Sequence, residues 1–170
     1  TNHCKMEELI ELIKTGQNDL LNQKLAENPS LAEVKTEQGS ALLQFAGYCR
    51  NQPAVEALRK DKQSLDIFEA ATVGEIETGN HLVVKNPEAL NSFSPDGFTA
   101  LGLASFFGQL SLVKFLLEKG ADPNIPSNNP FKVAPIHSAC AISNMEIASL
   151  LISHGADVNA KQAQGVTPLH

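Results

Sequence analysis

The sequence has 170 residues, of which 42% are hydrophobic and 19% are charged, a composition typical of a folded domain rather than a disordered chain. Its formal net charge of −6 disfavours a nucleic-acid partner, because an acidic surface repels phosphate backbones. The N-terminal residues hold no apolar signal region and no run approaches the roughly 18 apolar residues of a membrane span, so we expect a soluble protein that binds no membrane.

The first predicted elements cover residues 5–27, where two apolar helical segments are separated by a break at Gly16. The same pattern recurs 58 residues later, with Gly74 in the place of Gly16. Both patterns end in Asn-Pro, at Asn28 and at Asn86. We expect each asparagine to cap its helix in the left-handed conformation, because the following proline forbids continuation. The correspondence is typical of a duplicated pair of repeats.

The second repeat opens at Ser40, and its outer helix is predicted to start near Asn51. Pro53 then falls in the first turn, where the missing N–H of proline costs nothing. Only 25 residues separate Ser40 from the corresponding Leu65, whereas the later intervals are 33 to 35 residues. We therefore expect a tight connection at residues 60–64 with no projecting loop.

The clearest repeat runs from Phe93 to Asn124. Ser-Pro-Asp-Gly at residues 94–97 predicts a turn, and Thr99 is placed to cap a short helix that Gly108 ends. A second helix with one apolar face follows. It is predicted to stop at Gly120, because glycine adopts the left-handed conformation at little cost.

The fifth repeat runs from Phe131 to Asn159, and residues 126–130 before it predict a turn about two residues longer than in the other repeats. The chain then reaches Thr167-Pro168-Leu169-His170, which has the pattern of the start of a sixth repeat. A stack of repeats needs its terminal apolar side covered, so we expect the C-terminal boundary to be artificial.

Two motifs recur along the chain. The first opens the inner helices: Thr99-Ala100-Leu101-Gly102, Ala134-Pro135-Ile136-His137 and Thr167-Pro168-Leu169-His170, 35 and 33 residues apart. The second, Gly-Ala-Asp-x-Asn, starts at Gly120 and at Gly155. At this period the motifs resemble the ankyrin repeat, strongly from Phe93 onward and weakly before it. The resemblance implies an all-α fold, an ankyrin-type α-solenoid of stacked helix-turn-helix repeats with projecting hairpin loops.

The resemblance also implies one ankyrin-repeat domain over residues 1–170. Its repeats cover approximately residues 5–38, 39–64, 65–96, 97–131 and 132–164, with a partial repeat at 165–170.

In the ankyrin family the recognition surface is usually the concave side, formed by hairpin tips and exposed positions of the inner helices. The resemblance places eight side chains there: Phe93, Phe98, Phe106, Phe107, Phe131, Tyr48, Val73 and Ile142. Clustered aromatic residues are typical of partner-binding hot spots, and a solvated scaffold gains nothing from them. The alternative is that Phe106 and Phe107 pack as core against neighbouring inner helices.

His137 and His170 occupy the histidine of the Thr-Pro-Leu-His signature. The resemblance implies a structural role, with hydrogen bonds within and between repeats, rather than catalysis or metal binding. Gly102 stands at this position in the fourth repeat and Leu43 in the second, so we expect the network to be interrupted there.

Three widely spaced cysteines, Cys4, Cys49 and Cys140, predict reduced thiols and hence a cytoplasmic protein. The sequence contains no Gly-x-Gly-x-x-Gly, Walker, Gly-x-Ser-x-Gly or His-Glu-x-x-His signature. We therefore expect no cofactor, no metal and no small-molecule substrate.

These observations favour a non-enzymatic module that binds another protein on its hairpin and inner-helix face. The alternative is a regulatory or targeting segment of a larger protein whose catalytic or effector domain lies outside these residues. The third hypothesis is that the protein is an enzyme in its own right. It ranks last, because a solenoid surface offers no closed pocket of the usual ~300 to 1,000 Å³.

Overall fold

The structure, a computed structural model, describes residues 2–163, 165, 167 and 168. Within this part of the chain, ten α-helices form two compact units, Thr1–Leu65 and Asp66–His170. The described backbone holds a single isolated β-bridge, between Lys35 and Ala41, and no longer strand. Of the helices in these residues, none has the length and apolarity to cross a membrane. The fold is all-α, as predicted.

The first unit contains two helix pairs joined through a short 3₁₀ turn. Its elements are α1 (Asn2–Thr15), α2 (Asn18–Glu27), the 3₁₀ turn Pro29–Glu33, α3 (Leu42–Tyr48) and α4 (Gln52–Asp61). The predicted break between α1 and α2 is confirmed, because Gly16 takes a φ of +73° there. The largest fully buried hydrophobic side chains of this unit are aliphatic: Leu9, Ile13, Leu21, Leu25, Leu42, Leu43 and Leu58. Each helix pair is therefore stabilised by apolar burial between helices.

The second unit contains three helix pairs. Its elements are α5 (Ile67–Val73), α6 (Ile76–Lys85), the 3₁₀ turn Pro87–Asn91, α7 (Ala100–Phe106), α8 (Leu110–Glu118), α9 (Pro135–Ala141) and α10 (Met145–Ser153). The inner helix α7 packs between α5 and α9, and the outer helix α8 packs between α6 and α10. Each pair thus covers the apolar face of the next, which is the arrangement of a repeat solenoid.

Polar side chains cap three helices of the second unit, α5, α7 and α10. The Thr99 hydroxyl accepts a hydrogen bond from the Gly102 N–H at 3.1 Å, as predicted for the start of α7. Asp66 and Glu69 form a reciprocal capping box at the start of α5, with distances of 2.8 and 3.1 Å. The left-handed end after α8 is also confirmed, since Gly120 has a φ of +98°.

The predicted left-handed caps at Asn28 and Asn86 are wrong. Asn28 has φ −147° and ψ 89°, and Asn86 has φ −141° and ψ 88°. Both precede proline, which drives the preceding residue towards extended backbone. Each asparagine carbonyl accepts the first bond of the 3₁₀ turn instead, from Leu31 N–H at 3.1 Å and from Ala89 N–H at 3.0 Å. The helices therefore end by entering a new turn rather than by a left-handed cap.

The predicted tight connection after the second repeat is confirmed, because α4 ends at Asp61 and no hairpin loop projects before residue 65. Lys62 lies in this connection with its side chain buried, and its Nζ forms an ion pair with Glu33 Oε2 at 3.0 Å. A buried ammonium requires such a partner, so this contact fixes the connection to the 3₁₀ turn of the first unit.

Candidate functional site

The hairpin tips of the second unit are closed by serine side chains. In the fourth repeat the Ser94 hydroxyl accepts from Phe98 N–H at 3.1 Å, while Ser94 N–H donates to the Phe98 carbonyl at 2.8 Å. In the fifth repeat Ser127 makes the same two bonds with Val133, both at 2.8 Å. The first tip encloses three residues and the second encloses five, so the predicted two-residue extension is confirmed.

Backbone contacts join these tips into a series. Asn128 N–H donates to the Gly97 carbonyl at 2.7 Å, and a Cβ at Gly97 would lie only 2.4 Å from the Asn128 oxygen. Asn129 Nδ2 donates to the Asp96 carbonyl at 3.2 Å. On the other side, Ala163 N–H donates to the Phe131 carbonyl at 3.0 Å. The fifth tip is therefore held from both of its neighbours.

Two of the predicted aromatic residues, Phe131 on the fifth tip and Phe93 directly before the fourth, have much of their surface in solvent. Phe93 is 41% exposed and Phe131 is 66% exposed. Phe131 is one of the five residues that the fifth tip encloses, and Lys132 follows it with a left-handed φ of +53°. Solvent contact of this extent leaves both rings available to a partner.

The remaining predicted residues of the second unit are half-buried. Phe98 lies at the end of the fourth tip, and Phe106 and Phe107 lie at the C-terminal end of α7 with their rings 5.1 Å apart in an edge-to-face arrangement. Val73 ends α5. Ile142 follows α9 and lies against the turn at Gly108, where an added Cβ would be 3.7 Å from its Cδ1.

Tyr48 lies in the first unit, at the end of α3, and is half-buried. Its hydroxyl accepts a hydrogen bond from Gln44 Nε2 at 2.9 Å.

The aromatic region of the second unit is poor in charge. Residues 97–113 contain no Asp, Glu, Lys or Arg, and Lys132 is the only such residue between positions 123 and 145. Asp96, on the fourth tip, has its carboxylate hydrogen-bonded by the Ser94 hydroxyl. Apart from Asp96 and Lys132, the site can therefore bury apolar surface against a partner without desolvating charged side chains of these segments.

The structural role predicted for His137 is confirmed. Its buried ring accepts from Ala134 N–H at Nδ1 (3.1 Å), which leaves the proton on Nε2 to donate to the Ala160 carbonyl at 3.0 Å. His170 lies outside the described residues. Among the residues that are described, no group of three His, Cys, Asp or Glu side chains is placed to hold a metal ion.

Sequence reasoning missed a set of amide contacts between repeats. Gln109, just before α8, donates from Nε2 to the Thr72 carbonyl at the end of α5, at 2.9 Å. Asn51, just before α4, donates from Nδ2 to the Ile13 carbonyl at 3.0 Å. An amide residue directly before each of these outer helices was the available signal, because that position faces the last turn of a preceding helix.

An open concavity of about 450 Å³ lies in the first unit, between α1 and the 3₁₀ turn. Its lining mixes basic, acidic and apolar side chains: His3, Lys5, Met6, Leu31, Glu33 and Lys35. His3 is already paired with Glu7 at 3.0 Å, and no nucleophile and base converge there among the described side chains.

Helix pairs that stack in series and present hairpin tips at one edge define an α-solenoid repeat protein. The family model for the ankyrin repeat matches residues 96–128 and 133–162, so these two segments belong to the ankyrin-repeat family. Ankyrin repeats generally serve as protein–protein interaction modules. The matched residues contain Phe98, Phe106 and Phe107, and Phe131 lies between the two matches.

Three relatives illustrate the similarity. The ankyrin repeat and SAM domain-containing protein 6 of Rattus norvegicus is 33% identical over 114 residues, which are 64% of this chain and 12% of the relative. The putative ankyrin repeat protein L371 of Acanthamoeba polyphaga mimivirus is 29% identical over 149 residues, 83% of this chain and 19% of the relative. The protein phosphatase 1 regulatory subunit 27 of Mus musculus is 34% identical over 95 residues, 56% of this chain and 60% of the relative. The chain thus spans less than a fifth of the first two relatives.

Proposed function

We propose that the protein is a non-enzymatic, cytoplasmic module that binds a partner protein through the second unit. The binding surface is the aromatic face, which we define as Phe93, Phe98, Phe106, Phe107 and Phe131. Val73 and Ile142 border it, and Tyr48 is a separate candidate contact in the first unit. The observation that carries the proposal is Phe131, which is 66% exposed on a tip hydrogen-bonded to both neighbouring tips.

Exposed aromatic rings on a fixed backbone are well suited to binding. Burial of a phenylalanine removes apolar area from water at roughly 25 cal/mol per Å², and aromatic anchors dominate many interfaces. Because the tips are already joined by hydrogen bonds, a partner need not order them, so more of the gain from burial appears as affinity. The absence of charge in residues 97–113 further favours an apolar contact.

A second candidate function is that of a regulatory or targeting segment within a larger protein. The chain spans 12% of the rat relative, and the mouse relative is named as a regulatory subunit. In that case the aromatic face still binds a protein, while the effector activity lies in another part of the polypeptide. The natural open reading frame distinguishes the two candidates directly.

The test compares two double variants. Phe93→Ser/Phe131→Ser removes the exposed rings, whereas Val84→Ser/Met145→Ser removes apolar side chains that are 68% and 71% exposed on outer helices. The immobilised variants and the parent are used to capture proteins from lysate of the source cell, which mass spectrometry identifies.

Partners captured by the parent and by the outer-helix variant should be lost from the aromatic variant, while all three proteins keep the same melting temperature. A Phe98→Ala/Phe106→Ala variant extends the test to the half-buried rings. The assignment fails if a fully folded aromatic variant still captures every partner of the parent.

A further inference from the structure

We infer that the segment bound by the aromatic face carries an aspartate or glutamate beside its apolar residues, and that Lys132 selects that carboxylate. The inference rests on the proposed function and specifies the chemistry of the partner. The occupant is thus a segment of another protein that combines apolar side chains with an acidic one.

The position of Lys132 is set by the longest of the described hairpin tips. Phe131 N–H donates to Asn129 Oδ1 at 3.0 Å, and the Phe131 carbonyl accepts from Ala163 N–H at 3.0 Å. Lys132 N–H donates to the Asn129 carbonyl at 3.3 Å. The backbone on both sides of the Phe131 side chain is therefore fixed, and the next side chain along it is the exposed Lys132.

The conformation of Lys132 is one that other tips give to glycine. Gly39 and Gly97 occupy the matching positions, with φ of +90° and +91°, and both donate their N–H to the residue that begins the tip. Lys132 has φ +53°, in a region that residues with a Cβ rarely adopt. Backbone strain of this kind motivates a functional hypothesis, and here the lysine adds a positive charge that glycine does not have.

The surroundings of Lys132 leave its charge open to a partner. Lys132 is exposed and its side chain makes no ion pair with a described residue, and the carboxylate of Asp96 on the neighbouring tip already accepts a hydrogen bond from the Ser94 hydroxyl. When a partner covers Phe131, the adjacent ammonium loses part of its hydration and needs a negative group in return. A lysine or arginine of the partner at this point would be repelled, so Lys132 gives selectivity as well as attraction.

The experiment identifies peptides that bind the aromatic face by selection from a random peptide library. The library, displayed on phage, is panned separately on the wild-type chain, on Lys132→Glu and on Lys132→Gly. Wild-type selections should combine aromatic or aliphatic residues with Asp or Glu, and Lys132→Glu selections should replace the acid by Lys or Arg. Lys132→Gly restores the residue found in the other tips and should select the same apolar residues without a charge preference.

The most enriched wild-type peptide is then synthesised with a fluorescent label, together with a copy in which Asn or Gln replaces each Asp or Glu. Fluorescence anisotropy should show about tenfold weaker binding of the neutral copy to the wild type, and equal binding of both peptides to Lys132→Gly. The difference should shrink between about 50 and about 300 mM NaCl, because salt screens the pair.

The outcomes separate this inference from the proposed function. If the selected peptides need Phe131, as shown by loss of binding to Phe131→Ser, but carry no acidic preference, the inference is overturned and the proposed function stands. If no peptide is enriched, or the enriched peptides ignore Phe131→Ser, both are overturned. If the free chain forms a dimer by light scattering that Phe131→Ser dissociates, the occupant is a second copy and the inference is again overturned.

Discussion

Gln109 donates from Nε2 to the carbonyl oxygen of Thr72 at 2.9 Å, so the residue that begins one outer helix completes the end of an inner helix in the preceding repeat. The last carbonyls of a helix have no partner within the helix, and a buried one costs free energy if it stays unpaired. Asn51 does the same for Ile13 in the first unit. Amide side chains therefore link successive repeats at the ends of their helices.

Replacing Gln109 by alanine should lower the free energy of unfolding of the second unit by about 1–3 kcal/mol, because the Thr72 carbonyl loses its partner. The control is Gln52→Ala, since the exposed Gln52 side chain contacts only Glu56, at 3.4 Å within its own helix. Urea denaturation followed by far-UV circular dichroism measures both. Equal midpoints for the two variants would contradict the role of the Gln109 bond.

Replacing Gly74 by alanine should destabilise the same contact from the other side. Gly74 has φ +81°, and an added Cβ would lie 2.4 Å from Gln109 Oε1. Gly120 has φ +98° with nothing within 4 Å of an added Cβ, so Gly120→Ala should cost only the conformational penalty of about 1–2 kcal/mol. Gly74→Ala should lower the free energy of unfolding by more than Gly120→Ala does, because the added Cβ also meets Gln109. A Gly74→Ala/Gln109→Ala double variant should be less unstable than the sum of the single changes, and strict additivity would argue against the clash.

Local sequence signals predicted most of the fold where they were strongest. The capping threonine at position 99 and the glycine at 120 behave as expected, because each acts within one turn of chain. The expectation at Asn28 was wrong because two rules compete there, and the effect of the following proline outweighs the tolerance of asparagine for left-handed backbone.

The candidate site was less predictable. The spacing of the motifs placed Phe131 near a turn. Its exposure also depends on two hydrogen bonds between tips: Asn129 Nδ2 donates to the Asp96 carbonyl, and Ala163 N–H donates to the Phe131 carbonyl. Lys132 carried no signal of its own, because its left-handed conformation follows from a hairpin closed by Ser127 and Val133. Contacts between repeats, rather than local propensity, determine such positions.

Replacing Ser143 by glycine should leave stability unchanged or raise it by up to about 1 kcal/mol. Ser143 takes φ +57° in the turn before α10, a conformation that costs a non-glycine residue about 1–2 kcal/mol, while glycine loses more entropy on folding. Ser111→Gly, at an exposed position inside α8, should instead destabilise by about 0.5 kcal/mol. Thermal unfolding gives the melting temperature of each variant. If Ser143→Gly were no more stable than Ser111→Gly, the claim that Ser143 has a strained backbone would be wrong.

Replacing His137 by alanine should destabilise the second unit by about 2–4 kcal/mol, because Ala134 N–H and the Ala160 carbonyl both lose a partner and a buried ring is removed. His81→Ala, at an exposed position of α6, is the matched control and should be close to neutral. Calorimetry gives the melting temperatures, and hydrogen exchange reports on the Ala134 amide. A His137→Ala protein with unchanged exchange at Ala134 would show that the ring does not hold this turn.

Burial raises the pKa of the Cys49 and Cys140 thiols, and the nearby Lys14 ammonium partly offsets this rise at Cys49. A raised pKa means less thiolate at a given pH, so both cysteines should react slowly with iodoacetamide at neutral pH and faster as pH rises past the ordinary thiol range. Lys14→Ala removes the offset, and alkylation of Cys49 should slow by about twofold at low salt, with the difference vanishing near 1 M NaCl. Cys140 is the internal control and should keep its rate, measured by mass spectrometry in a Cys4→Ser background. An unchanged or faster Cys49 in the Lys14→Ala protein would contradict the electrostatic effect of Lys14.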